Sequence, residues 1–349
     1  MNETLAVVLE KPGRLSVRRI PVPAIGGPAV RVTLGACGIC GSDIRYFQGE
    51  NPWSLHTLGR HVPSPPNLVL GHEVAGLVQK QERRVAVLAY RACGNCEYCR
   101  SGRENLCEAM EHFGHGAGWP EMPYYPGGMA EQFDIWKDFV YDLPPSISFE
   151  EATFLDGLAV AVHAVDSSGL KPGQRFGVIG LGPIGMLAAQ VAAARQASLV
   201  VGCDTSAVAV DLARRVGLEE ALQEPSGGLR RHLQERNTRL DSVVDTVGSA
   251  ESLHDGLAIL DKSGSLVLLA VHAEQMPVAP IWFSGERRIL SSSNNRYRDF
   301  PRAIELLASG AVVVKPLITH RFPLRQAPEA FRVALNKERE RAYKVILHP

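Results

Sequence analysis

From about Phe149 to Gly285 short apolar runs alternate with helical stretches, and this alternation limits what the chain can fold into more than any other feature. Candidate strands are RFGVIG (175–180), SLVVGC (198–203), DSVVDTV (241–247) and SLVLLAV (265–271). Between them lie the helical stretches IGMLAAQVAAARQA, SAVAVDLARRVG, LRRHLQERNT and AESLHDGLAIL. Such repetition predicts an α/β unit, with parallel strands in one sheet and crossover helices on both of its faces. The first strand runs directly into FGVIGLGPIG, which places Gly180, Gly182 and Gly185 as G-x-G-x-x-G at a strand-to-helix turn. Glycine there allows a tight turn, close approach of the backbone to a pyrophosphate, and close packing of helix on strand. Pro183 falls where the first helical turn begins and its missing N–H costs nothing. Pro183 and Ile184 thus open a helix whose free amides would hold the pyrophosphate.

The next strand ends near Asp204, about 20 residues further on, the spacing of a carboxylate that binds ribose hydroxyls. An anion there repels a 2′-phosphate, and Thr205, Ser206 and Ala207 supply no cation to offset it. NAD is therefore expected in preference to NADP.

The flanks have a different texture. Met1 to about Leu143 is rich in Gly, Pro and Cys, with β-branched runs such as AVRVTL and RVAVLA, which predicts an irregular, mostly-β domain. After Gly285 come helices at FPRAIELLASG and PEAFRVALNKE and a strand-like YKVIL, expected to return to the first domain. The expected division is 1–148 and 286–349 for a discontinuous domain and 149–285 for the nucleotide unit. At 349 residues the chain has room for two cores. Lys+Arg and Asp+Glu number 37 each, a balance that argues against nucleic acid or an anionic membrane as partner. No run of about 18 apolar residues is present, and the N-terminus lacks a basic segment followed by an apolar one. The 7 cysteines, odd in number and clustered, suit a reducing compartment, so the cytoplasm is expected.

Those cysteines carry metal chemistry. RACGNCEYCRSGRENLC (91–107) sets Cys93, Cys96, Cys99 and Cys107 at C-x-x-C-x-x-C-x7-C, a spacing that closes a tetrahedral zinc shell with four thiolates. Even spacing of four thiols fits zinc better than a redox pair. Glu97, Glu104, Glu108 and Glu111 are the wrong surroundings for a nucleic-acid ribbon. A closed shell holds structure and does no chemistry, so a working metal needs another site. Cys40 in GACGICGSDIRYFQG (35–49) and His72 and Glu73 in VLGHEVAG (69–76) are acceptable zinc ligands, but their spacing alone does not bring them together.

GICGSD, GHEVAG, the four-cysteine lobe, GLGPIG and VKPLITHRFPL (314–324) occur in one order. Together they resemble the zinc-dependent medium-chain dehydrogenase/reductase family, in its polyol (sorbitol-like) branch, over nearly the whole chain. The resemblance implies a GroES-like, mostly-β catalytic domain with a Rossmann doubly wound parallel-sheet domain inserted in it. It also implies a catalytic zinc on Cys40, His72 and Glu73 besides the structural zinc. In TFLDGLAVAVHA (153–164) the branch has Glu-Pro where this chain has Asp156-Gly157. Asp is one methylene shorter, so Asp156 is expected as a fourth or exchangeable ligand, direct or through water, displaced when substrate binds.

The implied reaction is reversible oxidation of a secondary hydroxyl of a polyol, sugar or cyclitol to a ketone, with hydride transfer to NAD. Ser42 would accept the hydroxyl proton; where relatives often carry a His three residues later, this chain has Arg45, which does not titrate near neutrality. Tyr46 and Arg296, the latter in NNRYRDF (294–300), would line the substrate site by the same resemblance. Two segments exceed the family pattern: 49–67, with Trp53, His56 and His61, and 112–129, with His115, Trp119, Tyr124 and Tyr125. A homodimer or homotetramer is expected by analogy. Rival readings are a threonine or simple secondary-alcohol dehydrogenase, and a non-catalytic, zinc-stapled NAD-binding scaffold.

Overall fold

In the computed structural model, residues 3–79, 81–272 and 275–349 are described. The chain divides into two compact units. One comprises Met1–Asp156, Arg296–Ile304 and Leu317–Pro349, and the other Gly157–Asn295 and Glu305–Pro316. The boundaries thus fall after Asp156 and Asn295, later than the 148 and 285 expected from texture. Phe149 explains the first shift: its short helix stays with the β unit, where the Arg84 guanidinium lies 4.9 Å from its ring. A sixth strand, Arg288–Ser291, explains the second, because it extends the parallel sheet beyond 285.

In the second unit the sheet order is Glu220–Gln223, Leu199–Asp204, Arg175–Ile179, Leu240–Asp245, Leu260–Leu268, Arg288–Ser291, all parallel. Chain order reverses beside Arg175–Ile179, the switch point at which doubly wound sheets bind dinucleotides. The sheet reads as near-continuous apolar runs because helices cover it. Val201, Val243, Leu240 and Leu266 lie in its core with Leu229, Leu253 and Leu257 from the helices.

The first unit is built on a mostly antiparallel sheet, in which Ile318–Pro323 and Lys344–His348 pair in parallel. Val140–Asp142, Arg83–Val87, Glu73–Val78, Ala29–Gly38, Lys344–His348 and Ile318–Pro323 follow one another across a sheet, with Gln132–Trp136 also paired to Ala29–Gly38. The C-terminal strand joins the N-terminal part through Ile346 opposite Gly38 and Leu347 opposite Cys37. Because Glu73–Val78 and Lys344–His348 both run antiparallel to Ala29–Gly38, their first residues and its last share one edge of the sheet. Gly38, Glu73 and Lys344 therefore meet at that edge, and Cys40 follows directly.

Candidate metal centre and nucleotide loop

Cys40 caps the helix Gly41–Phe47 that leaves this edge. Asp43, three residues on, closes the cap: its Oδ2 accepts the Cys40 N–H at 2.8 Å. The other carboxylate oxygen accepts the Gly71 N–H at 3.3 Å and lies 3.7 Å from His72 Nδ1. One fully buried carboxylate thus ties together the segments that carry Cys40 and His72. Burial raises its pKa to about 6 against the opposing pull of His72 and the backbone N–H groups.

Cys40, His72 and Glu73 bring one donor atom each within 4.8 Å of one another. Among the described residues His72 Nδ1 has no hydrogen-bond partner; it is buried facing Asp43, the arrangement in which a carboxylate orients an imidazole that ligates through its other nitrogen. A soft thiolate, an imidazole and a carboxylate in this setting fit zinc with a coordination position left open. Asp156 does not join the set, although it is half-buried and within electrostatic reach of His72 and Glu73. Burial, with Glu73 adding to it and His72 opposing, pushes its carboxyl up to about 6.

Glu73 has a second partner. Lys344 heads the C-terminal strand, is 3% exposed, and its Nζ donates to Glu73 Oε2. Burial alone would favour the neutral amine, but the charges of Glu73 and Cys40 outweigh it and raise the Lys344 pKa. With Asp43 negative and Lys344 positive, a divalent ion would balance a Cys40 thiolate and a Glu73 carboxylate.

The remaining walls come from the segment after the cysteine lobe. His112 pairs with Tyr90 in a short two-stranded ladder, and the chain then turns sharply through Gly114, at φ +81°. A Cβ on Gly114 would stand 2.3 Å from the Gly71 carbonyl, so glycine is what lets this turn press on the residue before His72. The turn stacks His115 on His112, ring centroids 4.0 Å apart, and sets it 4.2 Å from the His72 ring. His115 Nε2 lies 3.4 Å from Ser42 Oγ. Burial, with His72 beside it, pushes His112 down to about 3, and burial with His112 and His72 lowers His115 strongly.

Tyr46 does not take the place expected for it. It shares a helix face with Ser42, one turn on, but its side chain is fully buried and its hydroxyl donates to Asn51 Oδ1 at 3.1 Å. The Trp53 N–H donates to the same hydroxyl at 3.4 Å. Segment 49–67 closes over the hydroxyl, leaving the ring to support His115 at 5.0 Å. Arg296 lies half-buried, its backbone N–H donating to Asp299 Oδ2 at 2.8 Å and its Nε without a hydrogen-bond partner among the described residues. Its neighbour Tyr297 is held by the cysteine lobe: the Ala92 N–H donates to its hydroxyl at 2.6 Å, and its own N–H donates to Glu104 Oε1 at 2.8 Å.

In that lobe Cys93, Cys96, Cys99 and Cys107 form a second donor cluster. Their sulfurs lie 3.4 Å apart for Cys96–Cys99 and 3.9 Å for Cys93–Cys99, and none is in a disulfide. Four thiolates around zinc at about 2.3 Å stand about 3.8 Å apart, so the cluster fits the ion without rearrangement. The Cys99 N–H donates to Cys96 Sγ and the Cys93 N–H to Cys107 Sγ, both at 3.4 Å, so backbone amides face two of the four sulfurs.

In the other unit, Gly180 takes φ +88°, Gly182 caps the helix Pro183–Ala194, and a Cβ on Gly185 would stand 1.9 Å from the Gly180 carbonyl. Ile184 follows Pro183 in the first turn. Asp204 ends its strand with Oδ2 accepting the Leu181 N–H at 2.7 Å and Oδ1 accepting the Ser206 N–H at 2.8 Å. The carboxylate is thereby locked to the glycine loop, where the residues fit a dinucleotide.

Residues 26–145 match the alcohol dehydrogenase GroES-like domain family, and residues 183–309 match the zinc-binding dehydrogenase family. The chain is 32% identical to sorbitol dehydrogenase of Homo sapiens, over 94% of this chain and 91% of that protein. It is 31% identical to a probable D-xylulose reductase A of Aspergillus clavatus, over 95% of this chain and 93% of that one. Among solved structures, L-idonate 5-dehydrogenase from Escherichia coli matches with a TM-score of 0.87 at 25% identity, over 99% of this chain and 98% of that chain. The alcohol dehydrogenase TADH from Thermus sp. ATN1 matches with a TM-score of 0.84 at 28% identity, over 99% of each chain.

Proposed function

Because the chain belongs to the zinc-dependent medium-chain dehydrogenase/reductase family, we propose that it oxidises a secondary hydroxyl of a polyol, sugar or cyclitol reversibly to a ketone, with NAD as hydride acceptor. The observation that carries this reading is the convergence of Cys40, His72 and Glu73 at one sheet edge with Ser42 two residues from the thiol. When bound, zinc makes an alcohol hydroxyl acidic and NAD takes the hydride from the carbinol carbon.

The protein's own groups do the rest. Cys40, His72 and Glu73 hold the ion, with Asp43 and Lys344 fixing two of them from behind. Ser42 accepts the proton of the substrate hydroxyl and gives up its own to water, which carries it to solvent. Asp156, outside the donor set, yields to substrate. His112 and Arg296 offer polar groups in the first unit for the further hydroxyls of a polyol. The Gly180–Gly185 turn receives the pyrophosphate and Asp204 the adenosine ribose hydroxyls, its charge favouring NAD over NADP. The four-cysteine lobe holds the structural zinc.

Sorbitol dehydrogenase and D-xylulose reductase relatives support a polyol substrate over threonine or a simple secondary alcohol. We place the protein in the cytoplasm as a homodimer or homotetramer, without nucleic-acid or membrane partners; among the described residues no helix is long and apolar enough to cross a membrane. The test is NADH formation over polyols, aldoses, cyclitols, threonine and simple secondary alcohols. A kcat/KM for one of the first three classes at least tenfold above the last two supports the reading, and the reverse order refutes it.

A further inference from the structure

Ser42 carries two acceptor lone pairs and a freely rotating hydrogen, so a lone pair is aimed at a substrate hydroxyl most firmly when that hydrogen is held by an acceptor elsewhere. Arg45, three residues later, cannot hold it: a guanidinium has no acceptor, and Arg45 Nε donates to Glu50 Oε2 at 2.7 Å. The chain brings another group to Ser42 from 73 positions away, the imidazole of His115, with Nε2 3.4 Å from Oγ.

We propose that His115, as the Nδ1–H tautomer, accepts the Ser42 hydroxyl hydrogen at Nε2 and so is the positioning residue that turns the Ser42 lone pairs toward the substrate hydroxyl. The assignment rests on the alcohol-oxidising reading of this site. The ring is built in place. It is 8% exposed, packed between His112, His72 and Tyr46, and carried on a turn with little freedom. The Gly114 N–H donates to the Pro126 carbonyl at 2.8 Å and the His112 N–H to the Ala117 carbonyl at 2.9 Å. At 3.4 Å the contact is long for O–H···N, as catalytic hydrogen bonds often are before substrate tightens them. His112 braces the turn, and among the described residues the imidazole against Ser42 Oγ is that of His115. The His112 Nδ1 lies 3.1 Å from the Phe113 carbonyl, which can only accept, so that nitrogen is committed as a donor.

Two measurements on the zinc-loaded protein test the assignment. In 15N-histidine spectra, His115, assigned through His115→Gln, should be the Nδ1–H tautomer, and its Nε2 resonance should move in Ser42→Ala. An Nε2–H tautomer, or a resonance that Ser42→Ala leaves in place, overturns the proposal whether or not any alcohol is oxidised. In kinetics, His115→Phe keeps a ring and loses the acceptor, and should lower kcat about 10- to 100-fold. KM for alcohol and for NAD should stay within about twofold and both zincs should remain, while His115→Gln, which restores an acceptor, should recover part of the loss. Unchanged kcat in His115→Phe, or equal loss in both variants with one zinc missing, would mean that His115 only supports the loop. A wild-type protein that turns over no alcohol yet shows the predicted tautomer and shift would refute the proposed function and the positioning role together, while upholding the hydrogen bond itself.

Discussion

Replacing Lys344 with Met should expose the electrostatic logic of the metal centre. Lys344 and Glu73 are 3% and 6% exposed at their side chains, so neither charge has water to fall back on. Removing one member of such a buried pair strands the other and costs about 3–5 kcal/mol. At about 2–4 °C per kcal/mol for a domain of roughly 200 residues, the zinc-free protein should melt roughly 6–20 °C lower. Adding Glu73→Gln removes the stranded charge, so the double variant should recover at least half of that loss. Zinc on the Glu73 carboxylate supplies a replacement positive charge, so the same Lys344→Met change should cost the zinc-loaded protein less than half as much. Calorimetry on the four proteins, with and without zinc, measures all three differences. A single variant melting within about 2 °C of wild type, or a double variant as unstable as both singles combined, would refute the reasoning.

Further outcomes follow from other contacts. Tyr46→Phe should cost about 0.5–1.5 kcal/mol of stability through the lost Asn51 bond and leave kcat within about threefold, as read by melting and turnover. Asp204→Ala should raise the KM for NAD about 10- to 100-fold and narrow the NAD-over-NADP preference, since charged hydrogen bonds of about 1.5–3 kcal/mol disappear. Cys99→Ser should lose one zinc per chain and lower the melting temperature while leaving the Cys40 site loaded, as metal analysis on the purified variant would show. Arg175→Met should destabilise the protein at neutral pH and less at low pH. Arg175 hydrogen bonds help to hold the Asp241 and Asp261 pKa values low, and stability present above the ordinary carboxylate range is lost as pH falls through the lowered values.

The parts of the chain that sequence makes legible are those with local periodicity. Strand–helix alternation gives the parallel sheet because each apolar run has a crossover beside it, and the glycine turn follows from backbone geometry within one segment. Glu220–Gln223 escapes notice because EALQ has no β-branched residue; its strand form comes from pairing with Leu199–Asp204. The cysteine lobe is legible because its four donors are close in sequence. Lys344 is not, since its partner Glu73 lies 271 positions away and only a lone charge at the head of an apolar strand hints at it. Tyr46 misleads for a similar reason. Helical spacing puts it on the face of Ser42, but the fate of its hydroxyl is decided by Asn51 and Trp53 in a segment without periodicity. His115 is visible as an unusual residue in a Gly/Pro-rich loop, yet its place beside Ser42 depends on the left-handed turn at Gly114 and the space beside Gly71.

The central claim is that one zinc sits on Cys40, His72 and Glu73 and serves alcohol oxidation, while a second sits in the cysteine lobe. Zinc content measured together with NAD reduction, on wild type and Cys40→Ala, tests it most directly. The expected result is two zincs per chain and polyol-dependent NADH formation in wild type, against one zinc and no NADH in the variant. Wild type with one zinc and no NADH from any alcohol, or a Cys40→Ala protein that keeps both zincs and full turnover, would contradict it.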